Sequence, residues 1–177
     1  MTDRKQKGEV PVSLLLASHC ASCESKKVKA SCPLCEQTFC NSCLEWLSDD
    51  AFFLETSRPA RLSHSHYCCD CFQSEVADAF TLYQENAAKA REAFVFFTTQ
   101  KKGIPLIRKA NQSIQIKDNP DRDETILRLA YQAVLQGHNA IIDCEVKSEK
   151  QRHGGWQKMK WSGTALPATV DENKMNY

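Results

Sequence analysis

The sequence contains no uninterrupted apolar run that approaches the roughly 20 residues needed by a membrane-spanning helix. The longest candidate covers residues 10–17, and it includes a proline and a serine. Residues 1–17 also make a poor export signal, because their apolar part is short and no small-residue cleavage site follows it. We therefore expect a cytoplasmic protein.

An excess of charge is also missing. The 23 Lys and Arg side chains nearly balance the 22 Asp and Glu side chains, so the formal net charge is +1 and a polycation is excluded. Hydrophobic residues make up 42% of the chain and charged residues 25%, which is close to the average for soluble proteins. A length of 177 residues allows one ordinary domain or two small ones.

The familiar catalytic motifs are absent as well. The chain has no Walker, Rossmann, nucleophile-elbow or metalloprotease string. Nucleophilic catalysis needs a base within reach of the nucleophile, but the five histidines are scattered. Cys144 falls on the predicted buried side of a strand, where a free cysteine usually acts as a small apolar side chain. We therefore expect a protein that is not an enzyme.

Cysteine, in contrast, is abundant, because the chain has ten and eight of them form four Cys-x-x-Cys pairs. Two cysteines separated by two residues can place both sulfurs about 2.3 Å from one ion, and a structural zinc site needs four such ligands in a tetrahedron. Four pairs therefore predict two closed zinc sites. The pairs are Cys20 with Cys23, Cys32 with Cys35, Cys40 with Cys43, and Cys68 with Cys71.

Other uses of these cysteines are possible. Disulfides are one alternative, but a reducing cytosol favours metal thiolates over cystines. A thioredoxin-like redox site is another, although it needs one pair at a strand-to-helix junction rather than four pairs close together. His64 and His66 precede the fourth pair and could each replace a cysteine as a zinc ligand, but the cysteine set is already complete. Cys69 lies between two predicted ligands and is expected to be a spectator.

The spacing of the pairs resembles that of the FYVE-type zinc finger. Eight residues separate the first two pairs, four separate the second and third, and a long insert precedes the fourth. Residues 38–43 are similar to the family's aromatic-Cys-x-x-Cys step, and residues 68–72 are similar to its closing Cys-x-x-Cys-Phe. A RING finger is less similar, because its third metal-binding position is normally followed two residues on by a histidine, where this chain has Cys-Pro-Leu-Cys at 32–35.

The FYVE resemblance implies an alternating ligand order and two Zn²⁺ ions per chain. The first and third pairs would share one ion, bound by Cys20, Cys23, Cys40 and Cys43. The second and fourth pairs would share the other ion, bound by Cys32, Cys35, Cys68 and Cys71. Sequential pairing into two separate zinc ribbons or knuckles is the alternative arrangement.

The chain departs from the FYVE family at the positions that recognise phosphatidylinositol 3-phosphate. The family's tryptophan motif before the first pair, its Arg and His donors around the second and its Arg before the fourth are replaced by other residues, at 14–19, 28–33 and 66–67. Lys26, Lys27 and Lys29 keep positive charge beside the finger. Recognition of anionic lipid is therefore the alternative function.

Zinc binding would also change the net charge of the protein. Eight thiolates and two zinc ions shift the formal +1 to about −3. Clustered Lys and Arg with stacking aromatics do not run along any predicted helix or strand. We therefore expect no nucleic-acid partner.

After the last pair, the sequence predicts a helix over residues 72–93. This stretch contains no Gly or Pro, and its apolar residues recur at alternating spacings of four and three. Such a stripe can form a coiled-coil seam, but it more often packs on its own domain. The stripe consists of Val76, Phe80, Tyr83, Ala87, Ala90 and Phe94.

The remaining chain predicts an α+β unit with the approximate order strand, strand, helix, strand, strand. Residues 94–99 and 104–117 read as extended structure, the latter with a turn near Asn111. An amphipathic helix follows Asp121 and ends at Gly137. Residues 140–147 then form a strand, and Gly-Gly at 154–155 turns the chain into a last strand over 156–166. On the strand 140–147, Ile142, Cys144 and Val146 are expected to share one side.

This second unit resembles the YbjQ family of small bacterial proteins. The resemblance covers residues 94–168 and depends on three short strings, at 97–99, 137–142 and 162–166. It implies an α+β subunit that assembles into rings and carries a heavy-metal-binding label. The family's Gly-Ala-Asp or Gly-Ala-Asn is Gly-His-Asn at 137–139 in this chain.

The expected fold is α+β, with a small cross-brace zinc finger followed by a helix and a small sheet domain. We expect a bacterial, non-enzymatic, zinc-binding interaction or scaffold protein with an unidentified protein partner and a homo-oligomeric state. A ubiquitin-ligase-like adaptor is a third possibility. The predicted boundaries are an N-terminal segment 1–17, a FYVE-like finger 18–75, a connecting helix 76–93, a YbjQ-like domain 94–168 and a C-terminal tail 169–177.

Overall fold

The computed structural model describes residues 19–100, 103–154 and 156–175. The predicted segment 1–17, Gly155 of the predicted hairpin turn and the end of the predicted tail lie outside the described residues. The fold is α+β, as the sequence predicted. The described chain divides into two compact units, which we call the first unit (19–51 and Pro59–Ala77) and the second unit (Phe52–Arg58 and 78–175).

The first unit contains two short antiparallel strand pairs. Strand β1 (Val28–Ser31) pairs with β2 (Thr38–Cys40), and β3 (Leu44–Trp46) pairs with β4 (His66–Cys68). Two-stranded pairs of this length are marginally stable at best by themselves in water. The strand pairs therefore need support from outside the strands.

One continuous helix of 24 residues follows β4 directly. It consists of α1 (Cys69–Cys71), a π-helical stretch (Phe72–Val76) and α2 (Ala77–Glu92). The structure confirms the predicted helix and adds a wider turn near its start. The predicted apolar stripe is mostly covered, because four of its residues are buried and two are half-buried: Val76, Tyr83, Ala87 and Ala90, then Phe80 and Phe94.

The second unit is built on a mixed, curled sheet. Its strands lie in the order β5 (Phe94–Phe97), β8 (Ala140–His153), β9 (Trp156–Val170) and β6 (Leu106–Lys109), and β7 (Ile114–Asn119) also pairs with β9. β5 runs parallel to β8, and all other pairings are antiparallel. The predicted extended stretch 104–117 is two strands, so three strands precede the helix rather than two.

Helix α3 (Arg122–Leu135) packs against this sheet. The Asp121 carboxylate caps its N terminus by accepting a hydrogen bond from the Glu124 N–H at 2.7 Å. Gly137 follows its C terminus with φ +74°, a conformation that glycine adopts without a steric cost. Of the predicted apolar face, Leu129, Ala130 and Ala133 are buried, and Ile126 and Val134 are half-buried. Thr125 and Tyr131 are fully buried as well, and their polar groups explain why hydrophobic periodicity did not indicate them.

Strand β8 contains an irregularity that the sequence did not predict. Its pairing with β9 shifts after Ile142, and Asp143 has φ +51°. An extra residue in one strand reverses the alternation of its faces. Ile142 packs in the apolar cluster around Phe96, whereas Cys144 and Val146 pack in the cluster under α3. The prediction that all three side chains share one side is therefore wrong for Ile142.

Part of the long insert before the fourth cysteine pair belongs to the second unit. The Phe52 ring lies 5.5 Å from the Phe80 ring and 5.0 Å from the Tyr83 ring, measured between centroids. The Tyr131 hydroxyl donates a 2.6 Å hydrogen bond to Glu55 Oε1. Burial, together with this carboxylate, holds the pKa of Tyr131 well above its usual range. Residues 52–58, which the sequence analysis assigned to the finger, thus pack with the second unit.

Candidate metal centres

The first and second cysteine pairs form the same backbone turn. In the first, the Cys20 N–H donates to the Ser25 carbonyl at 2.8 Å, and the Glu24 N–H donates to the Cys20 carbonyl at 2.9 Å. In the second, the Cys32 N–H donates to the carbonyl five residues on, and the Glu36 N–H donates to the Cys32 carbonyl, both at 2.8 Å. Glu24 and Glu36 have φ +58° and +62°. Because this conformation favours glycine, glutamates at these two positions gave no turn signal in the sequence.

The third and fourth pairs lie where a strand ends and a helical turn begins. Cys40 is the last residue of β2, and Cys43 ends a 3-10 turn (Asn41–Cys43). Cys68 is the last residue of β4, and Cys71 ends α1. The Cys71 N–H donates a 3.4 Å hydrogen bond to Cys68 Sγ. Each of these pairs therefore directs two sulfurs toward one point, as a metal site requires.

The structure brings the eight paired cysteines together in two groups of four. Within each group, all four sulfur atoms lie within 4.8 Å of one another. The grouping alternates along the chain. Each group therefore combines one cysteine pair in a backbone turn with one cysteine pair at the end of a strand, where a helical turn begins. The first group is Cys20, Cys23, Cys40 and Cys43, and the second group is Cys32, Cys35, Cys68 and Cys71.

The sulfur separations fit a tetrahedral metal ion. Four sulfurs at about 2.3 Å from a central ion lie about 3.8 Å apart along the edges of the tetrahedron. Cys23 Sγ lies 3.5 Å from Cys40 Sγ, and Cys35 Sγ lies 3.8 Å from Cys68 Sγ. A disulfide needs sulfurs about 2.05 Å apart, so neither pair is bonded, and every described cysteine is a free thiol.

The thiols of the first group differ in how easily they ionise. Backbone N–H donation, chiefly from Cys40, lowers the pKa of Cys20 to about 6. The Ser22 side chain lowers the pKa of Cys43, but the neighbouring thiols, led by Cys23, outweigh it and raise that pKa to about 12. A second thiolate is thus costly beside the first. A divalent cation among the four sulfurs would remove this repulsion, so the donor set suits one.

The second group has the same electrostatic pattern. Burial raises the pKa of Cys32, but N–H donation from the backbone of Cys68, Cys35 and Leu34 outweighs it and brings that pKa to about 6. Burial and the neighbouring thiols hold the pKa of Cys71 well above its usual range. The agreement between the two groups indicates two sites of the same kind.

The remaining chemically active candidates lie outside both groups. Cys69 is exposed, and Cys144 is buried in the second unit, where burial raises its pKa. His66 uses its ring nitrogens on Ser65 Oγ at 3.2 Å and on the Ser31 carbonyl at 3.1 Å. His64 stacks edge-on against the Tyr67 ring. The structure thus places neither histidine among the grouped metal donors.

The Gly-His-Asn string at 137–139 lines a cleft of about 430 Å³ in the second unit. Most of its polar groups are bonded within the protein. Arg108 donates to the Gly137 carbonyl at 2.8 Å, and His138 Nδ1 lies 3.0 Å from Thr169 Oγ1. Asn139 Nδ2 donates to the Val170 carbonyl at 3.1 Å. These bonds hold the connection between α3 and β8 against strands β6 and β9.

The sites and the fold define an α+β protein with two four-cysteine metal-binding groups ahead of a mixed sheet. No protein family, no curated protein and no solved structure matches this chain. Among the described residues, no helix has the length and apolar content needed to cross a membrane.

Proposed function

We propose that this protein binds two zinc ions, one in each cysteine group, and acts as a non-enzymatic interaction protein. The observation that carries the proposal is the pair of interleaved four-sulfur groups. Sites with four thiolate ligands suit zinc or iron–sulfur clusters. The sulfur separations match a single central ion, which favours zinc.

A structural role for the metal follows from the closed donor sets. Catalytic zinc sites keep one position for water or substrate, whereas four cysteines fill the tetrahedron. The buried cluster of the first unit also depends on the ligands, because four of its six members are cysteines: Cys20, Cys32, Phe39, Cys40, Leu44 and Cys68. Metal binding in such a domain is coupled to folding. Zinc would therefore supply most of the stability of the first unit.

The direct test is a zinc count on purified protein and on matched cysteine variants. Cys35→Ser should lower the count from about two to about one, because it removes one of four ligands from the second group. Cys69→Ser is the control, because this exposed neighbour belongs to neither group and the count should stay at about two. A wild-type count below about 1.5, or equal loss in both variants, would contradict the proposal.

A double variant tests the alternating order. Cys35→Ser combined with Cys71→Ser alters only the second group, so one zinc should remain. Under sequential pairing, the same two changes would damage both sites and remove both ions. Cys23→Ser combined with Cys35→Ser reverses the expectation. These residues belong to different groups, so both ions should be lost, whereas sequential pairing would leave one.

The scaffold role is supported by exposed apolar residues at a sheet edge. β6 ends the strand order, and its Leu106 and Ile107 side chains are 43% and 65% exposed. Open edge strands readily pair with another chain. The YbjQ resemblance points to the same conclusion. We therefore propose that the second unit mediates self-association while the finger binds a protein partner.

Recognition of anionic lipid by the finger is the second candidate. Lys26, Lys27 and Lys29 are all exposed, and each can attract an anionic surface by about 1 kcal/mol. Vesicle flotation with the Lys26→Gln, Lys27→Gln, Lys29→Gln triple variant tests this attraction. Because the FYVE family's Arg and His donors are missing, phosphatidylinositol 3-phosphate should bind less than about tenfold better than other lipids of equal charge. Greater selectivity would contradict this expectation.

A further inference from the structure

The outer parts of β8 and β9 form a two-stranded ribbon that leaves the rest of the sheet. The last pairing between β7 and β9 joins Asn119 to Trp161. Beyond it, the described residues 148–152 pair only with 157–161, and His153 pairs with Trp156 at the tip. Most described side chains of this stretch are exposed, and exposed residues occur on both faces. The ribbon is about 20 Å long at 3.3 Å per residue.

The ribbon is strongly basic although the whole chain is nearly neutral. Residues 147–161, which are the ribbon together with the preceding Lys147, contain five Lys or Arg and one Glu. Lys147 pairs with Glu145 at 3.0 Å, and Lys160 lies 3.6 Å from Asp118. The other three, Lys150, Arg152 and Lys158, form no ion pair within the described part of the chain. Because the formal net charge of the chain is +1, the residues outside the ribbon are net acidic.

The basic side chains lie on both faces of the ribbon, with an aromatic ring at its tip. Paired residues of antiparallel strands share a face, and faces alternate along each strand. Trp156 and Lys158 therefore share one face, and Lys150 and Arg152 lie on the other. The Trp156 side chain is 81% exposed. An exposed indole next to unpaired positive charges is an unusual feature for a protein surface that only meets water.

We propose that this ribbon binds single-stranded nucleic acid. Phosphates would meet Lys150, Arg152 and Lys158, while an unpaired base stacks on Trp156, the combination used by proteins that bind single strands without sequence preference. The sequence-based expectation against nucleic acid depended on whole-chain charge and on the lack of clustered Lys and Arg with aromatics along any predicted element, whereas the structure shows such a cluster on one exposed ribbon. The proposal does not rest on zinc binding or on the scaffold role.

The distribution of charge favours a single strand over two other anionic partners. A flexible strand can bend around a ribbon two strands wide and meet both of its faces. A flat anionic membrane meets one face at a time, and one exposed indole gives only marginal anchoring. A duplex is stiff and keeps its bases stacked, so Trp156 would have no free base to stack on.

The test measures binding of the full, zinc-loaded protein to a fluorescent oligothymidylate of about 16 nucleotides by anisotropy over a range of salt concentrations. The Lys150→Gln, Arg152→Gln, Lys158→Gln triple variant should bind more weakly. Its log–log salt slope should be smaller by about 2, because each lost contact to single-stranded phosphate removes about 0.7. The finger variant with Lys26, Lys27 and Lys29 changed to Gln is the matched control, because it removes the same charge elsewhere and should keep the wild-type slope.

The stacking contact has its own test. Trp156→Ala should weaken oligothymidylate binding about fivefold or more with little change in salt slope, and Trp156→Phe should restore part of the loss. Trp46→Ala, which removes the exposed tryptophan of the first unit, should leave binding unchanged. Circular dichroism of each variant checks that the fold is intact.

Several results would overturn the proposal. One is an equal loss of affinity in the ribbon and finger triple variants, which would indicate attraction by net charge alone. Another is equal or tighter binding to duplex DNA of the same length. A third is binding to vesicles containing phosphatidylserine that depends on Trp156 while oligothymidylate does not bind.

Discussion

At the scale of single residues, identical cysteine side chains have different roles because their surroundings differ. Cys68 and Cys71 belong to a metal group, whereas Cys69 between them is exposed. Cys144 lies in an apolar cluster. The two-residue spacing in the sequence indicated which cysteines belong to Cys-x-x-Cys pairs. It could not indicate Ser22, whose side chain lowers the pKa of Cys43, because a serine between two cysteines has no distinctive pattern.

His138 provides a prediction about pH at this scale. Burial, together with the positive charge of Arg108, lowers its pKa below the ordinary 6.5, and Lys89, Glu92 and Glu172 line the same cleft. Because the unfolded chain binds a proton at this histidine more readily than the folded chain, protonation favours unfolding. Neutral His138 makes its full contribution to the free energy of unfolding above pH 6.5. This contribution should decline as the pH falls below 6.5.

The measurement is urea unfolding of wild type and His138→Gln at about pH 7 and about pH 5. The free energy of unfolding should fall more in wild type than in the variant. Loss of metal at acid pH affects both proteins equally, so the difference between them isolates His138. The prediction would be contradicted if the difference in free energy of unfolding between wild type and His138→Gln stayed constant with pH. It would also be contradicted if wild type became relatively more stable on acidification.

At the scale of elements, local signals predicted most helices and strands. Contacts between elements decided where a strand is irregular and which polar side chains are buried. The 72–93 stripe and the Asp121 and Gly137 boundaries predicted both long helices. The bulge at Asp143 was not visible, because Asp143 tolerates a positive φ without a glycine. The buried position of Thr125 depends on β9, which arrives 38 residues later in the chain at Gly163.

Gly163 is the sharpest test of this packing. A Cβ at this position would lie 2.9 Å from Leu129 Cδ1 and 3.0 Å from Thr125 Cγ2. Both neighbours are fully buried on α3, so they have little room to move. Gly163→Ala should therefore destabilise the protein by about 1–3 kcal/mol in urea unfolding.

Gly103→Ala is the control for that measurement. No heavy atom lies within 4 Å of a Cβ at this position, so the free energy of unfolding should change by no more than about 0.5 kcal/mol. Similar losses in the two variants would show that the glycines matter for backbone freedom rather than for the packing of α3 on β9.

At the scale of the whole molecule, the division into units does not follow the order of the chain. Residues 52–58 come before the fourth cysteine pair but pack with the second unit, and the helix passes from one unit to the other between Ala77 and Asp78. A fragment that starts at residue 94 would lack both segments. Self-association is therefore best tested on the full chain.

Light scattering on the full, zinc-loaded chain should give a mass above 20.0 kDa, the mass of one chain. Ile107→Lys should shift the protein toward the monomer, because it places a charge on the exposed edge strand β6. Leu82→Lys, which changes another exposed apolar residue, on α2, is the control and should leave the mass unchanged. A monomeric wild type at tens of micromolar, or dissociation by Leu82→Lys instead, would contradict a role for this edge.

The amino-acid sequence alone determined the α+β class, the two long helices and the identity of the eight paired cysteines. These features depend on spacing and periodicity over a few residues, which local physical chemistry controls. Only the tertiary structure decided that 52–58 joins the second unit, that Asp143 reverses the faces of β8 and that pairing with β7 ends at Trp161, which leaves the basic ribbon exposed. Each of these depends on contacts between residues far apart in the chain, and no local pattern records which distant partner a residue will meet.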